Sequence, residues 1–258
     1  MKIITIANQK GGTGKTTTAL CLGAELESKG YKVLYIDLDK QSDTSRTLKA
    51  DPDSAGAFEI LAERRPAAEV VQITGTGSHA IASADSMANI DTLLNDPKNQ
   101  DRKEYRLSDS LKSVSGKYDY AVIDTATDLN GATINALTAT DYLVISSTAD
   151  DFSREGLLTL FNITDIIKQY TNKKLNVSGV LLVRYSDRSN INRAFKAEIK
   201  RIAEENGTKL FNTTIRENVA IREAQAFKQP ITEYAPNSNG NADYLKFTEE
   251  LLKEINKA

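Results

Sequence analysis

The sequence predicts a single α/β domain, built on a doubly wound, mostly parallel sheet with helices on both faces. Short apolar runs alternate with helical patterns along the chain, the order that builds βα units and parallel sheets. The first run leads through a glycine-rich turn into a helix that is apolar on most sides, as suits a helix packed on a sheet. The chain has 258 residues, 40% of them hydrophobic, enough to form a core within one domain spanning 1–258.

The strands are predicted from short apolar runs rich in β-branched residues, several of which end in a carboxylate or hydroxyl residue. In chain order they are Ile3–Ala7, Val33–Asp37, Ala80–Ser83, Tyr120–Asp124, Tyr142–Ser146, Val177–Val183 and a short run at Lys209–Thr213.

Helices are predicted in the gaps between the strands. Thr17–Lys29 stops at Gly30, Ile191–Asn206 is amphipathic and stops at Gly207, and the last runs from about Asp243 to Asn256. Prolines and glycines break the segment 51–116 into short pieces, for which we expect one strand, peripheral helices and loops.

The most informative segment is Lys-Gly-Gly-Thr-Gly-Lys-Thr at positions 10–16, between the first strand and the first helix. Glycines let backbone N–H groups approach phosphate oxygens, so a turn of this kind at a helix N-terminus forms a phosphate cradle. Lys15 is placed to reach the β- and γ-phosphates, and the Thr16 hydroxyl to bind magnesium. The predicted ATP phosphate contacts are Lys10, Gly11, Gly12, Thr13, Gly14, Lys15, Thr16 and Thr17.

The loop departs from the usual template because Gln9 replaces its first glycine and Lys10 adds a second lysine. In this it resembles the deviant P-loop of the ParA/Soj-type partition ATPases, whose wider relatives are MinD and the nitrogenase iron protein. The resemblance implies a Rossmann-like P-loop NTPase that uses ATP and Mg²⁺. It also implies that Lys10 reaches across an ATP-sandwich homodimer, and that Lys10, Lys15 and Asp39 are the catalytic residues.

The second strand runs into a segment that resembles the family's switch I, with Lys40 in place of a proline. By that match Asp39 orients the attacking water, and Asp43 supports the magnesium hydration shell. Asp37, which alternates away from Asp39, is interpreted as structural. A carboxylate at the end of a strand can equally be a solvated surface group, and this alternative applies to both Asp39 and Asp43.

An apolar strand ending in Asp124 has the Walker B pattern, so Asp124 is predicted to bind magnesium through water, beside Thr16. Relatives follow this aspartate with two prolines, which are missing here, and we expect a looser switch II. Asp128 matches the spacing of a switch carboxylate in the nitrogenase iron protein. That protein's bridging cluster needs paired cysteines, whereas this chain has Cys21 alone.

Two further sets of residues are predicted to bind ligands. The loop that lies near the adenine in the family corresponds to Ile215, Arg216, Glu217 and Asn218. The net charge is −2 overall, but 184–228 has ten Lys and Arg against six Asp and Glu, so an anionic polymer should meet this part. Arg188 matches a DNA-contacting arginine of the family, and the surface is predicted to extend over Arg193, Lys196, Lys200 and Arg222.

The resemblance implies slow, partner-stimulated ATP hydrolysis in the partitioning of plasmids, chromosomes or mobile elements. A centromere-binding protein is the expected partner, and non-specific, salt-dependent DNA binding is expected in the ATP state. We expect a cytoplasmic protein, associated with the nucleoid if it binds DNA, with no N-terminal helix-turn-helix and no membrane anchor. The alternatives are a biosynthetic ligase of the dethiobiotin synthetase type and a non-catalytic, ATP-bound scaffold for cargo.

Overall fold

The structure, a computed structural model, describes residues 1–150 and 153–256. Its centre is an eight-stranded sheet in the order β3-β4-β2-β5-β1-β6-β7-β8. Every neighbouring pair is parallel except β3 and β4, which are antiparallel at one edge. The strands are Lys2–Ala7, Val33–Asp37, Gln72–Ile73, His79–Ile81, Tyr120–Asp124, Tyr142–Ser147, Asn176–Val183 and Leu210–Ile215 for β1 to β8.

Twelve α-helices lie within the described residues, together with 3₁₀ turns at Asp85–Asn89, Pro97–Asn99 and Lys112–Val114. In chain order, α1 to α12 are Lys15–Ser28, Asp43–Thr47, Ala57–Glu63, Ala67–Val70, Ile90–Asn95, Arg106–Leu111, Gly131–Ala139, Ser153–Tyr170, Asn190–Glu205, Val219–Ala226, Ile231–Tyr234 and Asn239–Ile255.

Helices cover both faces of the sheet because side chains alternate along each buried strand. Along β2, Val33 and Tyr35 join a core with α1, α10, α11 and α12, whereas Leu34 and Ile36 join a core with α3 to α7. A third core packs α8 and α9 against β6 and β7. Since β1, β2 and β5 are adjacent and parallel, their carboxyl ends meet at one edge, where ligands bind in doubly wound sheets.

The predicted doubly wound, mostly parallel α/β fold is confirmed. The bounds predicted for β2 and β5 are those observed, and the remaining predicted strands are off by one or two residues at one or both ends. The expectation of one strand in 51–116 was wrong, because β3 and β4 pair there. The helix predicted over Ile191–Asn206 is amphipathic in sequence, but the buried face of α9 does not include its first apolar residue, since Ile191 is 61% exposed.

His79 and Cys21 have contacts that suit a structural role. His79 Nδ1 lies 2.8 Å from the Tyr118 hydroxyl, and Cys21, on α1, is buried in the core. Across the described part of the chain, no helix is both long and apolar enough to cross a bilayer.

Candidate nucleotide site

The loop between β1 and α1 has the backbone geometry of a phosphate cradle. Gly12 and Gly14 adopt φ angles of +74° and +72°, a left-handed conformation that residues with a Cβ rarely adopt. A Cβ on Gly14 would also approach Val183 to 3.4 Å. Asn8 fixes the start of the loop, since its Nδ2 donates to the Ser146 carbonyl and its Oδ1 accepts from Lys10 N. The loop is therefore fixed at its start and leads into the N-terminus of α1, where backbone N–H groups lack intrahelical partners and can bind an anion.

Lys15 lies inside this loop and is 6% exposed. Its Nζ donates to the Lys10 carbonyl at 3.4 Å. Burial lowers the pKa of Lys15, although Asp124, Asp39 and Asp128 act in the opposite direction. An ammonium group held among carboxylates with little solvent is positioned to receive a phosphate.

Lys10 points to a different partner, on the far side of the loop. Its Nζ lies 2.5 Å from Asp150 Oδ2 and 3.4 Å from the Thr148 hydroxyl. Asp150 also accepts hydrogen bonds from Thr148 and Ser153. Burial opposes ionisation of Asp150, but these hydrogen bonds and the Lys10 charge hold its pKa below the usual range. Within a single chain, Lys10 is thus held by a carboxylate at the end of β6.

Asp124 lies at the end of β5 and is fully buried. The hydroxyl of Thr44 donates to its Oδ2 at 2.9 Å, and the Thr16 side chain also bonds to it. Its Oδ1 has no hydrogen-bond partner. Burial, and then the charge of Asp37 on the neighbouring strand, raise the pKa of Asp124 to about 8.

Asp37 ends β2 and is buried, at 1% exposure. Its Oδ2 accepts hydrogen bonds from the backbone N and the hydroxyl of Ser45, and its Oδ1 accepts from Asp39 N. Burial raises the pKa of Asp37 to about 6, against the effect of these bonds. The interactions suit the structural role predicted for Asp37, because they fix the turn that presents Asp39.

The structure places Asp39 and Asp43 in the wall of one cavity of about 520 Å³, which Lys15, Thr16 and Thr127 also line. Asp39 is held locally, since its Oδ1 accepts from Gln41 N and its carbonyl from Ser83. The Asp43 side chain is 66% exposed and lies 3.6 Å from Arg46. Asp39 is therefore the better ordered of the two carboxylates.

The residues around Asp124 fit a magnesium ion. A buried carboxylate oxygen without a partner and an adjacent threonine hydroxyl are hard oxygen ligands. Among the described residues, no three His, Cys, Asp or Glu side chains are grouped as a metal cage. Magnesium binds proteins through one or two side-chain oxygens, together with water and substrate phosphates. Thr16 and Asp124 would hold the ion, with Asp43 acting through water.

A second cavity, of about 260 Å³, continues from the first and shares Gly12, Gly14, Thr17 and Gln225 with it. The four residues predicted near the adenine, 215–218, all line it. Gln225 Nε2 donates to Thr17 Oγ1 at 2.8 Å, at the junction of the two cavities. The pair is large enough to hold a nucleoside beside its phosphates.

The last helix, α12, forms part of this second cavity. Asp243 is 5% exposed and accepts a bidentate contact from the Arg216 guanidinium, at 2.8 and 2.7 Å. The next residue, Tyr244, lines the cavity and its hydroxyl lies 3.1 Å from Thr18 Oγ1 on α1. Part of the wall of the second cavity is therefore fixed by α12, which follows the phosphate loop by more than two hundred residues.

Comparison with known proteins identifies the family. Residues 1–177 match the family model described as an AAA domain. The chain is 33% identical over 255 residues to the chromosome partitioning protein ParA of Myxococcus xanthus, covering 98% of this chain and 88% of that protein. It is 34% identical over 258 residues to the sporulation initiation inhibitor protein Soj of Bacillus subtilis, covering 98% of each. The chain belongs to the ParA/Soj-type partition ATPase family.

A solved relative has the same fold. The crystal structure of a plasmid partition protein from Borrelia burgdorferi bound to AMPPNP superposes with a TM-score of 0.77 at 27% identity, covering 99% of this chain and 98% of that one. The P-loop NTPase fold predicted from the loop and the resemblance to ParA/Soj proteins are both confirmed.

In this ParA/Soj-type chain, the residues predicted to contact DNA do not share one element. Arg188 is exposed before α9, and Arg193, Lys196 and Lys200 lie on α9. Lys196 lies over the Tyr185 ring, and Lys200 lies 3.8 Å from Glu204. Arg222 instead lies on α10 and lines the second cavity.

Sequence reasoning missed several residues that this ParA/Soj-type site brings together. Thr44 contacts Asp124, Gln225 contacts Thr17, and Asp150 holds Lys10. Asp150 follows the end of β6, which neighbours β1. The rule that ligand-binding residues follow the carboxyl ends of parallel strands could have identified it. Gln225 carries no such signal, because its position depends on how α10 packs.

Proposed function

We propose that this chain is a Mg-ATP-dependent, dimerising ATPase switch that acts in DNA partitioning. The observation that carries the proposal is the pair of lysines on one loop. Lys15 faces the phosphate cavity, while Lys10 leaves it and contacts Asp150. One lysine serves the chain's own nucleotide, and the second serves a nucleotide on a facing subunit.

The nucleotide is ATP, with its phosphates in the larger cavity and its adenosine in the cavity lined by 215–218. The AMPPNP-bound plasmid partition relative supports this assignment. Asp39 lies in the wall of the phosphate cavity and positions the attacking water. Bound magnesium supplies positive charge to the phosphates, and Thr16 and Asp124 hold it.

Dimerisation follows from charge. Two triphosphates at a shared interface repel each other, and a Lys10 from each subunit offsets that repulsion. At an effective dielectric near 20, one pair of unit charges at ~4 Å is worth roughly 4 kcal/mol before desolvation. Loss of the γ-phosphate removes part of this attraction, so hydrolysis limits how long the dimer persists. We further propose that turnover is slow and is stimulated by a centromere-binding partner.

The dimer would bind DNA without sequence preference through Arg188 and the basic residues of α9. Such binding rests on phosphate contacts and falls steeply with salt. Phosphate release should be measured with and without duplex DNA, alongside the dimer fraction in AMPPNP. ATP turnover without any small-molecule acceptor is expected and would exclude a ligase. If the protein stays monomeric in AMPPNP at every protein concentration tested, the proposal is overturned.

A further inference from the structure

The loop that follows β2, predicted as switch I, and the loop that follows β5, predicted as switch II, meet at an ion pair beside the phosphate cavity. Lys40 Nζ of switch I lies 3.9 Å from Asp128 Oδ2 of switch II. The residue before each, Asp39 and Thr127 respectively, lines the cavity itself. Lys40 and Asp128 therefore each lie one residue beyond the lining of the phosphate cavity, one on each loop.

Each loop is anchored to its own neighbours but lacks a stiffening proline. In switch II, Thr125 Oγ1 donates to the Ile6 carbonyl, and Thr133 Oγ1 donates to the Asp128 carbonyl. In switch I, Ser83 donates to the Asp39 carbonyl. A residue other than proline keeps its φ freedom, so a cross-loop contact restricts both loops at their free centres.

We propose that Lys40 and Asp128 are positioning residues, a cross-switch clamp that holds Asp39 at the wall of the phosphate cavity. The clamp ties the residue after Asp39 to the residue after Thr127, so that neither loop moves alone. Its effect on hydrolysis rests on the proposed function, because only an ATPase gives Asp39 a water to orient. The coupling of the two loops does not depend on any nucleotide.

The size of the effect follows from exposure. The side chains are 50% and 65% exposed, and exposed pairs of this kind change an equilibrium by roughly 1.5- to 5-fold. Such a modest constraint suits a clamp that must open in each cycle.

The first test is amide hydrogen exchange of the nucleotide-free chain, read on peptides covering residues 125–130. Lys40→Gln and Asp128→Asn should each speed exchange there by about 1.5- to 5-fold. The swapped pair, Lys40→Asp with Asp128→Lys, should restore protection, and the conservative Lys40→Arg should keep it. Arg46→Gln is the matched control, since Arg46 pairs with Asp43 within switch I and should leave these peptides unchanged. Equal exchange in the wild type and both single variants would overturn the clamp.

The second test is steady-state ATP hydrolysis. Lys40→Gln and Asp128→Asn should lower kcat with KM for ATP unchanged, because Asp39 loses its position while the phosphate loop is intact. Recovery of kcat in the swapped pair supports the clamp, and a change confined to KM overturns its catalytic role. A wild-type chain without ATPase activity but with the expected exchange pattern would refute the proposed function and leave the coupling of the loops standing.

Discussion

The contact between Lys10 and Asp150 predicts that a single substitution will strengthen the dimer. In the single chain, Lys10 Nζ lies 2.5 Å from Asp150 Oδ2, and the two side chains are 29% and 38% exposed. A lysine held in this way must leave its carboxylate before it can reach a facing nucleotide. Asp150→Asn keeps the size of the side chain and removes one negative charge that holds Lys10, so the ATP dimer should form more readily.

The magnitude follows from geometry and exposure. A hydrogen bond between charged groups contributes roughly 1.5–3 kcal/mol, but exposed pairs contribute roughly 0.2–1 kcal/mol. For the partly exposed contact between Lys10 and Asp150 we take a stabilising contribution of about 1–1.5 kcal/mol. A symmetric dimer releases two such contacts, about 2–3 kcal/mol in all, which lowers the dimer Kd by about 30- to 150-fold.

The assay is sedimentation velocity over a concentration series with Mg-ATP, in an Asp39→Ala background that slows hydrolysis. Asp165→Asn on α8 changes the net charge equally and serves as the matched control. In a Lys10→Ala background, Asp150→Asn should have no effect on the dimer, since there is no lysine to release. An unchanged or weaker dimer in Asp150→Asn itself would refute the reasoning.

Four further predictions concern the site. Lys15→Ala should abolish ATP binding in a fluorescent-nucleotide titration, and near-wild-type affinity would contradict the placement of the phosphates. Lys10→Ala should retain some ATP binding but lose dimerisation and stimulated hydrolysis, so unimpaired ATP dimers on a sizing column would refute its role across the interface. Asp39→Ala should trap the ATP dimer, and normal phosphate release would mean that another group positions the water. Finally, the raised pKa of Asp124, about 8, means that the folded chain binds more protons than the unfolded chain between about pH 4 and 8. The free energy of unfolding of the nucleotide-free chain should therefore fall as pH rises through that window. In urea titrations Asp124→Asn should flatten this slope above about pH 6, where Asp37 contributes less, and an unaltered slope would contradict the assignment.

Local pattern was enough to place the elements that carry the phosphate loop and the carboxylates. β2 and β5 are buried on both faces and end in Asp37 and Asp124. The end of each apolar run in the sequence therefore coincides with the end of the strand. β3 left no such signal, because it is two residues long and Ile73 is 71% exposed. Its pairing with β4 depends on tertiary contacts, which the hydrophobic periodicity of the sequence does not predict.

The residues of the candidate site also fall into two groups, those that the sequence predicts and those that it does not. The phosphate loop was predicted residue by residue, because glycine positions and the two lysines are set by local backbone geometry. The partners of those residues could not be predicted, since Asp150 and Gln225 reach Lys10 and Thr17 only once distant elements have packed. Arg222, predicted to contact DNA, lies on α10 and lines the second cavity, a position that the sequence did not indicate.

The docking of Asp243 and Tyr244 against Arg216 and Thr18 has a practical consequence for any shortened version of this chain. The family match stops at residue 177, and a fragment trimmed to that match would end inside β7 and lose α10, α11 and α12, which share a core with α1. Such a fragment should therefore fail to fold, although it would contain every residue of the phosphate loop. Fluorescent tags are accordingly safer when joined through a long spacer after the final helix than when fused within it.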